Sequence, residues 1–290
     1  MTMYVLFDIG KTNMRIAASA DCKELTAEPV KADVPDNYTE MLDVVADLVH
    51  QQCGDEPVIM AGGGIGGPLD KEKRHLVTIP DANKQVWVGK PLQDDLAAAI
   101  GAPVILENDS AIVGLGEAHF GGGKTSGVMA YMTVSTGVGG ARIVDGGIDT
   151  STLGFEPGHQ IIDIDHSLCS SCESNTLEDY VSGTATERRY GVKPYEVEPR
   201  DAWDEIAYWL AVGIANTIVH WSPERIVLGG SMVVKKPGIY VSDVQRHLHE
   251  TLTIFPPEHH PVLVEATCGD FGGLYGALVF VNNNRDPGTA

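Results

Sequence analysis

A chain of 290 residues, 43% hydrophobic and 21% charged, has the composition of an ordinary globular protein and length enough for two modest domains. Its net charge of −20 excludes a broad surface for nucleic-acid phosphates, which needs clustered Lys and Arg, but leaves room for a local positive pocket. No stretch approaches the ~18 apolar residues of a membrane span, so neither nucleic acid nor membrane is an expected partner.

The opening residues, Met1 to Leu6, lack the basic start of a signal peptide and run directly into a strand, so a cytoplasmic location is expected. Met3 to Ile9 reads as a buried strand and Met14 to Ala18 as a second, joined through Asp8-Ile9-Gly10-Lys11-Thr12-Asn13. A Walker loop would instead feed a helix and read GxxxxGK[ST]; that pattern is absent. Tyr38, Met41, Leu42, Val45, Leu48 and Val49 recur at helical spacing, entered through Asn37 with Glu40 three residues later. Pro57 to Met60 is the next strand, and the glycines of Gly62 to Pro68 after it mark either a close backbone approach or tight turns. Leu92 to Ile100 predicts a helix, and Pro103 to Leu106 a buried strand ending in Glu107-Asn108-Asp109. Ala111, Ile112, Leu115 and Ala118 then resume helical spacing. A carboxylate at the carboxyl end of a buried strand stands where open α/β sheets place their chemistry, although Asp109 could also serve as a helix N-cap.

Gly121-Gly122-Gly123-Lys124 predicts a hinge or domain boundary, after which the pattern restarts. Val128 to Val134 is a strand, Ser135-Thr136-Gly137-Val138-Gly139-Gly140 a small-residue turn, and Ala141 to Val144 a returning strand. This echo of the first hairpin suggests a duplicated domain. Glu156 to Asp179 is irregular and rich in Cys, His, Ser and acidic residues. Trp203, Ile206, Trp209, Leu210, Ile214, Thr217, Ile218 and Trp221 predict a long amphipathic helix, stopped by Pro223. Arg225 to Gly230 is a strand entering a glycine turn, Pro261 to Ala266 a last strand, Phe271 to Val281 a terminal helix, and the rest a frayed tail. Five cysteines, scattered and odd in number, do not form a disulfide framework; Cys22, Cys53 and Cys268 have no spaced partners, and His259-His260 lies in a loop between prolines. Two glycine-and-threonine hairpins, one per half, can each present N–H groups to phosphate oxygens, or be ordinary tight turns. With Asp109 between them in sequence, a kinase fits: phosphates, and a carboxylate to take a hydroxyl proton.

These motifs together resemble those of the ROK sugar kinases, within the actin/hexokinase superfamily, from about Tyr4 to Ala277. Asp8-Ile9-Gly10-Lys11-Thr12 matches the first phosphate motif, with Lys11 where the family usually has Gly, and Thr133 to Gly140 matches the second. Glu107-Asn108-Asp109 matches the catalytic strand end, and Ile226 to Gly230 and Gly269 to Ala277 the nucleotide-side turns. Glu156-Pro157-Gly158-His159 matches ExGH, which most narrows the superfamily to this branch.

The resemblance implies an α/β protein with the two-domain actin-like ATPase (ribonuclease H-like) fold and an interdomain cleft that closes on its ligands. A smaller domain spans 1–120 and a larger one 121–290, with the terminal helix free to pack on the first. It implies transfer of the γ-phosphate of ATP to a hexose hydroxyl, most simply the 6-hydroxyl. Glucose is the default substrate, with N-acetylmannosamine or another N-acetylhexosamine, and fructose, as alternatives. Asp109 becomes the general base. Asn108, Glu156, His159 and Glu178 hold sugar hydroxyls, joined by Gly67 and Asn83, where Asn83 before Trp87 keeps imperfect spacing and also reads as a surface turn residue. Asp8 helps position Mg²⁺ bound with ATP. Gly10, Lys11, Thr12, Thr136, Gly137, Gly229, Gly230 and Gly272 surround the nucleotide, Lys11 adding charge near the β- and γ-phosphates. A homodimer is a family expectation, and the Trp203/Trp209 face reads as core or subunit contact. Repressors of the family carry an N-terminal helix-turn-helix, unlike the strand opening here; a sugar-binding regulator without catalysis is the reading from a different class.

The zinc site is the main departure. The family places three cysteines after the ExGH histidine. Here His159 and Cys169 keep their places, Ser171 and Thr176 stand at two cysteine positions, and Cys172 comes one residue late. His159, Cys169 and Cys172, with His166, remain a candidate structural zinc set resting on a single CxxC pair.

Overall fold

The computed structural model describes residues 2–79, 81–167, 172 and 174–285. The chain divides into two compact units, one of Met1–Phe120, Thr150–Gly154 and Cys268–Ala290, the other of Gly121–Asp149 and Phe155–Thr267. Among the described residues no helix is long and apolar enough to cross a membrane.

In the first unit, β1 (Met3–Ile9) turns back into β2 (Asn13–Ser19), and β3 (Val30–Asp33) adds an edge. Helix α1 (Tyr38–Cys53) begins at Asn37, whose side-chain oxygen accepts the Glu40 N–H at 3.1 Å. Then follow β4 (Val58–Ile65), the 3-10 turn Ala82–Trp87, α2 (Leu92–Ile100), β5 (Val104–Asn108) and α3 (Asp109–Phe120). The sheet order is β3-β2-β1-β4-β5, with β1, β4 and β5 parallel. Alternation along β1 sends Val5, Phe7 and Ile9 to the core that also holds Met41 and Val45 of α1. Gly62, Gly63 and Gly64 belong to β4 and not to a turn. A Cβ on Gly63 would lie 1.8 Å from the Phe7 carbonyl oxygen and one on Gly64 2.8 Å from the Asp109 Cα. The glycines thus serve close backbone approach, the first of the two alternatives the sequence offered.

In the second unit, β6 (Val128–Val134) and β7 (Val138–Val144) form the other hairpin, followed by β8 (Gly147–Ile148) and the 3-10 turn Pro157–His159. Helices α4 (Glu178–Val181), α5 (Gly183–Tyr190) and α6 (Arg200–Trp221) precede β9 (Arg225–Gly229), α7 (Ser231–Val234), α8 (Val241–Thr251) and β10 (Val262–Glu265). Trp203 and Trp209 are buried in the core with Ile206, Leu210 and Leu228, so their face of α6 is interior. The order β10-β9-β6-β7-β8 repeats the first sheet strand for strand.

The terminal helix α9 (Gly272–Asn284) belongs to the first unit, which shortens the second domain expected over 121–290. The reason is glycine packing. A Cβ on Gly276 would lie 1.7 Å from the Ile112 carbonyl oxygen, and one on Gly116 2.4 Å from that of Gly272. Helices α3 and α9 therefore cross with their backbones nearly touching. Gly276→Ala should cost about 3 kcal/mol and lower Tm by about 5 °C or more. Gly147→Ala, where the nearest atom lies 3.6 Å away, should leave Tm within about 1 °C, both read by calorimetry.

Candidate active site

Three parallel strands deliver the first group of polar residues to one sheet edge. Asp8 near the end of β1 is paired in register with Arg15 of β2 and with Gly64 of β4, while Ile65 of β4 pairs with Asn108 of β5. Asn108, rather than Asp109, caps α3, its Oδ1 accepting the N–H groups of Ser110 at 3.0 Å and Ala111 at 3.3 Å. Its Nδ2 donates to the Gly67 carbonyl oxygen at 3.2 Å, leaving one amide proton for a ligand. Asp109 is thereby released from capping. Its Oδ1 accepts the Ser110 N–H at 2.7 Å, and a Cβ on Gly66 would stand 3.4 Å from its Oδ2. That same Cβ would lie 3.6 Å from the Lys11 nitrogen, so Gly66 keeps the space between the carboxylate and the first hairpin turn clear.

The two carboxylates are electrostatically linked. Burial raises Asp109 above the ordinary aspartate value, against the Ser110 bonds that lower it. Burial and then the Asp109 charge raise Asp8 to about 7, with Arg15, 3.5 Å away, pulling it down. Two acids in this relation titrate as a pair. Arg15 was not singled out from the sequence, although alternation across the hairpin places it beside Asp8. Gly273 was missed as well; a Cβ there would lie 2.5 Å from Asp8 Oδ2. Gly272, expected on the nucleotide side, packs toward Val113 of α3, where a Cβ would be 3.2 Å from the Val113 Cγ1.

In the first turn, Gly10 N–H donates to the Asn13 carbonyl at 3.0 Å and the Thr12 carbonyl accepts the Val34 N–H at 2.9 Å. Lys11 and Thr12 are exposed. Asn83 is exposed on the 3-10 turn after Asp81, whose Oδ1 accepts its N–H at 3.1 Å.

The second unit assembles its own group. Ser135, Thr136 and Gly137 close the β6–β7 hairpin, and their carbonyls accept from Gly183 N–H (2.6 Å), Thr184 Oγ1 (2.8 Å) and Ser135 N–H (2.8 Å). With the carbonyls engaged, the turn can meet an anion through its N–H groups. Gly230 has φ +84°, and a Cβ there would strike the Val134 carbonyl oxygen at 2.3 Å; one on Gly229 would meet the Tyr131 Oη at 2.6 Å. The ExGH turn sits on the same hairpin, since a Cβ on Gly158 would lie 2.2 Å from the Val138 carbonyl oxygen. Glu156 and His159 flank it, both exposed. Glu178 Oε2 accepts the Val138 N–H at 2.7 Å, so the residue expected on a sugar also braces the turn expected on phosphate.

Among the described residues no three His, Cys, Asp or Glu side chains stand together as metal ligands, and Cys172 is disulfide-bonded rather than a thiolate. Cys169 lies outside the described residues. The reading of Cys172 as a candidate zinc ligand is thus corrected, since its sulfur is held in a disulfide. Cys22, Cys53 and Cys268 are free.

The family described as ROK family matches residues 4–284. N-acetyl-D-glucosamine kinase of Vibrio cholerae serotype O1 is 27% identical over 97% of this chain and 99% of its own length. Fructokinase of Zymomonas mobilis is 28% identical over 95% of each. Among solved structures, the ROK hexokinase of Thermus thermophilus superposes with a TM-score of 0.80 at 25% identity, covering 97% of this chain and 99% of the other.

The acid pair makes stability depend on pH in a definite direction. Asp8 is protonated in the fold up to about pH 7 but ionises near 3.8 when unfolded, so the folded state loses stability as pH rises between those values. In EDTA, Asp8→Asn should match the parent Tm near pH 4 and exceed it by about 5 °C above pH 7. An unchanged difference across that range would show that Asp8 carries no such burden. Gly137→Ala should displace the Glu178 carboxylate, since its Cβ would fall 2.5 Å from Oε2, and should weaken sugar and nucleotide binding together in calorimetry.

Proposed function

Because the chain belongs to the ROK family, with the actin-like ATPase fold of its sugar kinases, we propose that it transfers the γ-phosphate of ATP to a hexose hydroxyl, most simply the 6-hydroxyl. The observation that carries this reading is the half-buried Asp109 at the carboxyl end of β5, freed from capping by Asn108 and held beside Asp8 and the first hairpin turn.

In this reading Asp109 takes the proton of the attacking hydroxyl. Burial raises its pKa above the ordinary aspartate value, so its carboxylate is a stronger base than a solvated aspartate. The Ser110 N–H fixes Oδ1, leaving Oδ2 to face the hydroxyl across the space that Gly66 keeps open. Asn108, through its remaining amide proton, and Glu178, through Oε1, are the sugar-hydroxyl ligands of this reading, together with Glu156, His159, Asn83 and the Gly67 backbone. A site so built discriminates against sugars lacking those hydroxyls. The turns at Gly10–Lys11–Thr12 and Thr136–Gly137, with Gly229 and Gly230, receive the phosphates, and Lys11 adds a cation to the first.

Asp8 fits Mg²⁺, because a largely enclosed carboxylate beside a second acid, offset only in part by the Arg15 charge, is a hard oxygen donor for a cation. A Mg²⁺ ion held there with the nucleotide would supply neutralisation of charge on the phosphate oxygens. Arg15 then orients the Asp8 carboxylate from across the hairpin.

Glucose is the default acceptor. The similarity to N-acetyl-D-glucosamine kinase and fructokinase keeps N-acetylhexosamines, N-acetylmannosamine among them, and fructose as alternatives. Coupled ADP release with Mg·ATP across glucose, N-acetylglucosamine, N-acetylmannosamine, fructose and mannose tests the proposal. At least one sugar should turn over, and Asp109→Asn should reduce its kcat by about 10³-fold or more while preserving sugar binding. Sugar-induced stabilisation without ADP release from any of them would replace the kinase with a sugar-binding regulator.

A further inference from the structure

The excursion between β4 and α2 contains a charged residue that the reaction does not use. Lys84, in the 3-10 turn Ala82–Trp87, has a side chain only 5% exposed, and lysine is seldom buried unless paired. Its Nζ stands 2.8 Å from Asp36 Oδ1 and 3.4 Å from Asp81 Oδ2. Burial works against its charge, but the bonds to Asp36 and Asp81 prevail and the ammonium persists. A buried ion pair adds little stability over an apolar side chain of equal volume, so its value here lies in placement.

What it places can be followed bond by bond. Asp81, one of its partners, accepts the N–H of exposed Asn83 at 3.1 Å. Asp36, the other, accepts the Trp87 indole N–H on its carbonyl at 2.9 Å, fixing the far end of the same turn. Trp87 is buried edge-on against Tyr38, with ring centroids 6.0 Å apart. Two residues before Asp36, the Val34 N–H donates to the Thr12 carbonyl of the first hairpin turn at 2.9 Å. The Lys11 charge of that turn also acts on Asp81. Residues 34–36 therefore hold the Asn83 turn on one side and the Lys11–Thr12 turn on the other.

We propose that Lys84 is a positioning residue: it locks the Asn83-bearing turn to residues 34–36, thereby setting affinity for the sugar and linking sugar binding to occupancy of the first phosphate turn. The proposal rests on the sugar-kinase reading for the role of Asn83. The linkage is reciprocal, so nucleotide at the Lys11–Thr12 turn tightens sugar binding as much as sugar tightens nucleotide. A merely structural lysine would change Tm and leave both affinities alone.

Lys84→Met keeps the length of the stem and removes the charge, and Asp36→Asn keeps an acceptor while weakening the pair. Calorimetric titration of the folded full chain, well below its Tm, with the same five sugars and with a non-hydrolysable ATP analogue reads both affinities. Lys84→Met should raise the Kd of the sugar the parent binds by about tenfold, and leave the analogue's Kd without sugar within about twofold. The improvement in sugar Kd given by saturating analogue should shrink toward none, with Asp36→Asn following more weakly in the same direction. Sugar affinity within about twofold of the parent in Lys84→Met, whatever its Tm, overturns the proposal. Should that variant fail to fold, an unchanged sugar Kd in Asp36→Asn overturns it alone. A parent that binds sugar without releasing ADP defeats the kinase reading but leaves Lys84 to be judged on Kd; a parent that binds no sugar defeats both.

Discussion

The constraint on which the first unit depends is the enclosure of two aspartates at one sheet edge. Folding gains nothing from enclosing Asp8 and Asp109 together, since desolvation raises the energy of both charged forms and the Asp109 charge raises that of Asp8 further. The surrounding structure supports the pair by removing everything else from their neighbourhood. Gly64, Gly66 and Gly273 have no side chains to intrude, Arg15 supplies partial counter-charge, and Asn108 takes over the capping that Asp109 could have performed. Strain at such a position is a common sign of function, because a better-satisfied pair would be less reactive.

Much of this was legible in the sequence because it is local. The strand from Met3 to Ile9 and the helix from Leu92 to Ile100 have the limits that their apolar patterns predict, and Asn37 caps the helix it precedes. The second hairpin was legible by its likeness to the first, and the sheet orders extend that likeness to every strand. What the sequence concealed depends on partners distant along the chain. Gly62 to Gly64 look like a turn until Phe7, Ile105 and Asp109 are known to lie against them. Edge strands such as Val30–Asp33 and Gly147–Ile148 carry too little pattern to stand out. Lys84 resembles any surface lysine, since neither Asp36 nor Asp81 marks itself as its partner.

The site residues divide in the same way. Asp109, Gly137 and Gly230 stand out by motif, and their surroundings supply a physical reason for each. Gly272 belongs to a motif whose glycine answers to helix packing, while its neighbour Gly273 faces the carboxylate. Glu178 shows the limit of assigning one role to one residue, because a single carboxylate braces a turn and still has an oxygen to offer. The loop bearing Cys172 shows the limit of family patterns, since Ser171 and Thr176 stand at two expected cysteine positions and Cys172 is disulfide-bonded.

The strand-for-strand duplication carries a thermodynamic consequence. Asp8 is the penultimate residue of β1 and pairs with Arg15; the penultimate residue of β6 is Thr133, which pairs with Gly139. One copy of the hairpin thus encloses a titrating acid, and the other a neutral hydroxyl. Proton release near neutrality therefore weakens one copy and leaves its twin untouched. In mildly alkaline solution without ligands, amide hydrogens along β1 and β4 should exchange through smaller openings than those along β6 and β9. Two halves with one architecture would then melt as unequal partners, set apart by a single carboxyl group.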